Sequence, residues 1–281
     1  MTFRLITADE RLLSNYDKVT GAIFGRSKVG KTWLVKTLRA DETLFFNLEA
    51  GMKSIQDYRG PNIDIETFED AADAACLFGG ISPSSGPMDF FHANHYDYVR
   101  NKYKSINPDW FRTGYWDSIT DLTRLAMTWA QRQPAAFGRY GKPDLRGAYG
   151  EMGRQVIRML RHIQHTPGKN VFFVGGLNAY VNEVNQQVFE PQSEGNKTKT
   201  ELPYIVDQIM TLSDFDYTDA GFIHNFGKGR FRALCCKSPN PWGLPAGDRS
   251  GRLNMIEEPH LGRLIEKINS RPQPAQLAAA Q

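Results

Sequence analysis

Apolar runs short enough to be strands alternate with amphipathic segments over most of this chain. The strand-like segments are apolar, or alternate apolar with polar positions, and they lie at residues 19–24, 43–48, 62–68, 111–117 and 170–177. Helical periodicity follows several of them, at residues 33–38, 70–78 and 149–164. Strands that alternate with helices in this way predict an α/β fold.

The last hundred residues give a weaker pattern. Residues 205–212 predict a strand, or a helix followed by a strand. Two strand-like segments, 222–226 and 230–237, predict a β-hairpin joined by a glycine-containing turn. Residues 257–268 predict a closing helix. The predicted boundaries are a lead-in over residues 1–17 that packs on the sheet edge, one domain over residues 18–268, and a disordered low-complexity tail over residues 269–281.

One stretch of the chain carries specific chemistry. Residues 25–32 fit the phosphate-binding pattern GxxxxGK[ST] at every fixed position, between a predicted strand and a predicted helix. Gly25 and Gly30 let the backbone turn sharply and bring its N–H groups against phosphate oxygens. Lys31 brings a positive charge to the β- and γ-phosphates, and the Thr32 hydroxyl can ligate Mg²⁺. The helix would add about half a positive charge at its N-terminus.

The motif therefore predicts ATP and Mg²⁺ as the bound groups. The residues between its fixed positions complete the nucleotide-binding loop, and they are Arg26, Ser27, Lys28 and Val29.

Polar residues stand at the carboxyl ends of three predicted strands, where open α/β sheets place their ligands. They are Glu49, Asp117 and Asn178. Glu49 is the candidate that orients and deprotonates an attacking water, with a turn or helix-terminal carboxylate as the alternative. Asp117 fits an aspartate that holds Mg²⁺ through its water shell, and Asp121 is a weaker candidate. The Asn178 amide either senses the γ-phosphate or caps a turn.

Composition narrows the class of protein. The chain is 41% apolar and 23% charged, as ordinary globular proteins are. No apolar run approaches the length of a membrane span and the N-terminus lacks the apolar core of a signal peptide, so no membrane partner is expected. Three cysteines give neither a disulfide framework nor a metal-ligand spacing, which predicts a cytoplasmic location.

Positive charge is concentrated in the middle of the chain. The net charge is +3, but residues 100–161 contain twelve basic and five acidic residues. This pattern indicates either a polyanionic partner or a solvated basic face. Segment 90–104 mixes aromatic and basic residues, as single-strand binders do, or it is an amphipathic helix whose aromatics pack on the body. Residues 131–150 predict a long mobile loop, and such loops are usually functional.

The order of these features resembles the RecA-like ATPase core, most closely the small phage-encoded RecA-like proteins associated with single-strand annealing and recombination. The resemblance covers roughly residues 18–255. It implies a mostly parallel central sheet flanked by helices, followed by the C-terminal β-hairpin. Glu49 matches the catalytic carboxylate, Lys31 shares the electrostatic work of hydrolysis, and Asp117 matches the aspartate beside Mg²⁺. Asn178 matches a position usually held by Gln.

The same resemblance implies partners. Segments 131–148 and 179–200 match two DNA-facing loops, and residues 79–110 look like an insertion. With segment 90–104, these two loops are the candidate contacts to single-stranded DNA. The expected assembly is a homo-oligomer, as a ring or a filament, in the cytoplasm, or in the host cytoplasm if the protein is phage-encoded.

The function implied is a Mg-ATP-dependent RecA-like ATPase that acts on single-stranded DNA in phage-type recombination, annealing or repair. The alternatives are a nucleotide-gated DNA-binding or assembly protein with little turnover, a helicase or packaging motor, and a small-molecule kinase. The kinase is disfavoured because no Arg-rich lid is evident and because Glu49 suits a water better than a substrate hydroxyl.

Overall fold

The computed structural model describes residues 7, 18–49, 51–183, 185, 187–216 and 230–270. The strands within these residues, β1 to β10, are Thr20–Gly25, Thr43–Asn47, Asn62–Asp64, Thr113–Asp117, Asn170–Val181, Gln187–Gln192, Gln208–Asp216, Arg230–Cys235, Gly247–Asp248 and Ile256–Glu257. The α-helices within them, α1 to α6, are Phe68–Gly79, Ala93–Lys102, Ile119–Ala130, Leu145–Gln164, Asn196–Ile205 and Leu261–Asn269.

Several predicted features lie outside the described residues. They are the lead-in at residues 1–17 (apart from Thr7), the first arm and the turn of the predicted hairpin at residues 222–229, and the tail from residue 271. The second arm of that hairpin is described as β8, and it pairs antiparallel with β7.

Most of the sheet is parallel. Its strands lie in the order β3, β2, β4, β5, β1, β7, β8 and β10, and the first six of these run parallel. The predicted α/β fold with a mostly parallel sheet is confirmed. Gly25 pairs with Gly176, and Asp117 pairs with Val174 and Asn47. These pairings bring the carboxyl ends of β1, β2, β4 and β5 to one edge.

Helices cover both faces of the sheet, so the inner strands are apolar on both sides. On β5, Val171 and Phe173 belong to the core cluster that includes residues of α1 to α5. Phe172 and Val174 belong to the cluster on the other face, which includes residues of α6 and of the helical turn Thr32–Thr37. The alternation explains why this strand is a continuous apolar run in the sequence.

A β-hairpin replaces the irregular loop predicted over residues 179–200. β5 continues to Val181 and pairs antiparallel with β6, from Gly176 opposite Gln192 to Val181 opposite Gln187. α5 then begins at Asn196. The prediction was wrong because residues 179–181 and 187 at the outer end of the hairpin are exposed, so this part of the sequence lacks the apolar alternation of a half-buried strand.

The predicted loop 131–150 is shorter and more regular than expected. α4 begins at Leu145, where the Asp144 carboxylate accepts hydrogen bonds from two backbone amides of the first turn. The preceding residues form two 3-10 turns, and an antiparallel bridge joins Phe137 to Pro143. Glycines in the first turns of α4 disfavour a helix locally, which is why the sequence pattern placed its start too late.

Segment 90–104 packs on the body of the protein. It contains α2, and Phe90 and Phe91 lie against other aromatic rings of the core. Lys102 forms an ion pair with Asp73 of α1. The structure therefore favours the packing interpretation of this segment over the DNA-contact interpretation. No described helix has the length and apolar character needed to cross a bilayer.

Candidate nucleotide-binding site

The loop after β1 has the backbone conformation of a tight phosphate cradle. Lys28 and Gly30 have φ angles of 64° and 97°, in the left-handed region. A Cβ on Gly25 would lie 2.8 Å from the Leu212 carbonyl oxygen, so only glycine fits there. The helical turn that follows, Thr32–Thr37, is a six-residue 3-10 helix. The predicted helix is therefore present only as a short 3-10 helix, which supplies less dipole than the predicted half charge.

Lys31 lies folded back over this loop. Its Nζ donates to the carbonyl oxygens of Gly25 and Arg26, each at 3.0 Å. Burial lowers the pKa of Lys31, and the nearby carboxylates of Glu49 and Asp117 oppose that shift. The ammonium is thus held close to the loop by neutral carbonyls, which a phosphate anion can replace as its partner.

Asp117 stands directly behind the loop. It is only 2% exposed, and its Oδ2 accepts a hydrogen bond of 2.5 Å from the Thr32 hydroxyl. Burial raises the pKa of Asp117 to about 7, with a further contribution from Glu49 and an opposing one from the Thr32 hydrogen bond. The peptide bond from Asp117 to Ser118 is cis.

The oxygen atoms here fit a Mg²⁺ ion. Asp117 Oδ1 is buried and has no hydrogen-bond partner within the described residues, while Oδ2 and the Thr32 hydroxyl lie beside it. Mg²⁺ prefers oxygen ligands and usually takes only one or two from the protein, with waters and phosphates completing its shell. Consistent with that, the described residues contain no cluster of three or more His, Cys, Asp or Glu suited to a metal.

A cavity of about 440 Å³ opens above the loop. Lys31, Thr32 and the exposed Glu49 line it, so the structure brings these predicted residues together with Asp117. The other lining residues are Ser27, Lys28, Gly30, Ser54, Thr120, Arg124, Gly176 and Gln192.

Asn178 is placed away from this cavity. It lies within β5, where it pairs with Glu190, and it does not line the cavity as a γ-phosphate sensor would. The side-chain amide in the cavity wall belongs to Gln192 of β6, which sequence reasoning missed. The signal that could have found it is the pair of asparagines at 182 and 185, which suit the turn of a hairpin between residues 181 and 187.

Comparison with known families decides the class of protein. The sequence profile of the AAA_24 family, described as an AAA domain, matches residues 17–250. The chain belongs to this family. A search of curated proteins finds no match. Family and site together make the chain a nucleotide-binding AAA domain of the P-loop ATPase type.

Solved structures resemble this AAA domain only distantly. An ATPase from the type III secretion system of pathogenic bacteria is 14% identical over 69% of this chain and 51% of that one, with a TM-score of 0.37. The RadB recombinase is 15% identical over 85% and 93% of the two chains, with a TM-score of 0.31. The flagellar accessory protein FlaH from Methanocaldococcus jannaschii is 9% identical over 79% and 78%, with a TM-score of 0.32.

The chain spans about half the length of the secretion ATPase. Likenesses this weak carry no information about substrate or partner, so the activities of these three proteins are not transferred to the AAA domain.

Proposed function

We propose that this AAA domain hydrolyses ATP with the help of Mg²⁺. The observation that supports the proposal most strongly is that Lys31, Thr32 and Glu49 line one cavity of about 440 Å³ while Asp117 is hydrogen-bonded to Thr32. A phosphate cradle, a cation site and a carboxylate beside water-accessible space are the parts that phosphoryl transfer to water requires.

Each residue has a role in this proposal. The backbone amides of residues 25–32 and the Lys31 ammonium bind the phosphates. Thr32 and Asp117 would hold Mg²⁺, which when bound would neutralise charge on the phosphate oxygens. Glu49 accepts the proton of the attacking water. As the water oxygen bonds to the terminal phosphorus, the bond from that phosphorus to the bridging oxygen breaks, and ADP and inorganic phosphate leave.

Two substitutions test the hydrolysis proposal. Lys31→Ala should abolish ATP binding and turnover, because the loop loses its phosphate-binding cation. Glu49→Gln should preserve ATP binding and lower turnover by about 10²- to 10⁴-fold, because the water loses its base. ATP hydrolysis and equilibrium nucleotide binding are the measurements, and Lys53→Ala, an exposed lysine outside the cavity lining, is the control. Turnover unchanged in both variants would contradict the proposal.

We further propose that the partner is single-stranded DNA and that residues 131–146 contact it. This surface segment exposes Arg132, Arg139, Lys142 and Arg146, and none of them makes an ion pair with another described residue. Its tip is Tyr140, which is 97% exposed. Free cations beside an exposed ring suit a single strand, since cations neutralise its phosphates and its bases stack on aromatic side chains.

The DNA proposal is tested by ATP turnover during titration with a single-stranded oligonucleotide. We expect turnover to rise with the oligonucleotide, and Tyr140→Ala to weaken binding by about 1–3 kcal/mol through lost stacking. Fluorescence anisotropy of a labelled oligonucleotide measures that loss, and Tyr204→Ala is the control because Tyr204 is also highly exposed, at 79%, and lies on α5. No binding at low salt would exclude the DNA partner and leave the ATPase proposal standing.

The biological role that fits both proposals is recombination, annealing or repair of phage type by a homo-oligomer. Light scattering with and without Mg-ATP tests the assembly, and the rate at which complementary oligonucleotides pair tests annealing. A nucleotide-gated binder with little turnover would show ATP-dependent assembly that is unchanged in Glu49→Gln.

A further inference from the structure

Gly176 and Gln192 share one space in the wall of the phosphate cavity. Gly176 is the last residue of β5 that pairs with β1, the strand before the phosphate loop, and it lies opposite Gly25. On its other side, Gly176 pairs with Gln192 of β6. A Cβ built on Gly176 would overlap the side-chain oxygen of Gln192 and would lie 3.1 Å from its Cβ. The Gln192 carboxamide therefore occupies the place that a side chain at position 176 would take.

The backbone of Gln192 is anchored to the element that follows Asp117. The Thr120 hydroxyl donates to the Gln192 carbonyl oxygen at 2.8 Å and accepts from the Gly176 amide at 2.9 Å. The Thr123 hydroxyl accepts from the Glu194 amide at 2.9 Å. Thr120 is 4% exposed, so the first turn of α3 clamps both strands at a buried point.

We propose that Gln192 is a positioning residue for ATP hydrolysis, whose carboxamide contacts the terminal phosphate or the attacking water. This inference rests on the proposed ATPase function. Gln192 lines the same cavity as Lys31, Thr32 and Glu49. A carboxamide carries both a donor and an acceptor, so it can hold a water and a phosphate oxygen at the same time. Gly176, the residue of β5 that pairs with Gly25 at the start of the loop, has no side chain that could hold either group.

The alternative is a purely structural role, in which Gln192 only fills the space left by the missing side chain of Gly176. The two roles make different predictions. A gap-filling residue affects stability and can be replaced by any side chain of the same volume, whereas a positioning residue affects kcat and requires the amide. Gln192→Met keeps a similar length and volume and removes the amide without adding a charge, so it separates the two.

The experiment measures kcat, nucleotide affinity and thermal unfolding for a set of variants. Gln192→Ala should lower kcat by about 10²-fold, as loss of one oriented polar contact does, with nucleotide affinity within about threefold of the original. Gln192→Met should lower kcat about as far, because it fills the space without an amide. Gln164→Ala, which removes a glutamine at the far end of α4, should leave kcat unchanged and is the matched control.

A substitution at Gly176 gives a second test. Gly176→Ala should lower kcat although Gln192 is unchanged, because the new Cβ would take the place of the Gln192 side-chain oxygen and displace the carboxamide.

The outcomes separate the two proposals. If the unaltered protein hydrolyses ATP and both Gln192→Met and Gln192→Ala match its kcat, the role of Gln192 is overturned while the ATPase stands. If the unaltered protein binds ATP but shows no turnover, both proposals fail. Equal loss of stability and of kcat in Gln192→Ala, with full activity in Gln192→Met, would establish the gap-filling role instead.

Discussion

At the scale of single residues, Asp117 is a candidate metal ligand whose burial lowers the stability of the folded protein. A carboxylate that is 2% exposed and has one oxygen without a partner is costly in the ionised form, and burial raises its pKa to about 7. The spacing of the sequence indicated that Asp117 ends a strand beside the P-loop strand. It did not indicate the raised pKa, which depends on burial and on Glu49, a residue from a different strand end.

Asp117→Asn should be more stable than the original protein at high pH in the absence of nucleotide. Because the folded pKa is above the value of the unfolded chain, the folded state retains the proton that the unfolded state has lost, so stability falls as pH rises from about 4 to 7. The asparagine lacks this effect. In urea unfolding, the free energy of unfolding of Asp117→Asn minus that of the original protein should rise by roughly 2–3 kcal/mol between pH 5 and pH 8.

The same urea unfolding is repeated with Mg-ATP present. Mg-ATP should stabilise the original protein more than Asp117→Asn, because the variant has lost a charged metal ligand. A parallel pH profile for the two proteins would show that Asp117 is not the titrating group.

At the scale of elements, the connection between α1 and β4 is part of the core. Residues 79–110, which the sequence suggested as an insertion, contain α2, and their Phe91 stacks on His162 of α4 with ring centroids 4.0 Å apart. The aromatic and basic residues of this segment suggested a nucleic-acid contact, because composition alone does not reveal which side chains face inward. The packing of Phe91 on α4 and of α2 on α1 decided that question.

His162 should make folding pH-dependent on the acidic side. Burial, with smaller contributions from Arg158 and His165, lowers its pKa to about 4. The unfolded chain binds a proton below about pH 6.5 while the folded protein does not until about pH 4, so stability is lost as pH falls between those values. His162→Phe keeps an aromatic ring against Phe91 but cannot bind a proton. Between pH 7 and pH 5 the variant should therefore lose roughly 2 kcal/mol less of its free energy of unfolding than the original protein does.

Urea unfolding at the two pH values checks this prediction. His165→Gln is the control, because His165 is exposed on the same helix end. An unchanged pH dependence in His162→Phe would place the acid sensitivity elsewhere.

At the scale of the whole molecule, charge is spread unevenly although the net charge is only +3. Much of the basic excess at 100–161 is neutralised within the fold, as in the ion pairs of Arg158 with Asp89 and of Arg161 with Glu201. The cations of residues 131–146 are exposed and make no ion pair with described residues. Lys104 and Arg112 are also exposed without such an ion pair, but the cations of residues 131–146 lie in one continuous segment, which makes that segment the candidate surface.

Replacing the four cations of residues 131–146 by Gln should lower the salt dependence of DNA binding. For single strands the slope of log affinity against log salt changes by about 0.7 per phosphate contact, so the loss should approach about 3. Anisotropy titrations at several salt concentrations measure it. The control variant replaces four exposed arginines that already form ion pairs, namely Arg39, Arg161, Arg249 and Arg263. An equal loss of slope in the control would mean that binding follows net charge alone.

The sequence by itself determined the phosphate loop, the parallel strands around it and the candidates Lys31, Thr32, Glu49 and Asp117. These depend on local spacing, since Lys31 and Thr32 belong to the loop motif, Asp117 ends an apolar strand and Glu49 comes just after another. Only the tertiary structure decided that Gln192 rather than Asn178 lines the cavity, that α2 packs inward, and that burial raises the pKa of Asp117. Each of these depends on contacts between residues far apart in the chain, which a reading of local periodicity does not contain.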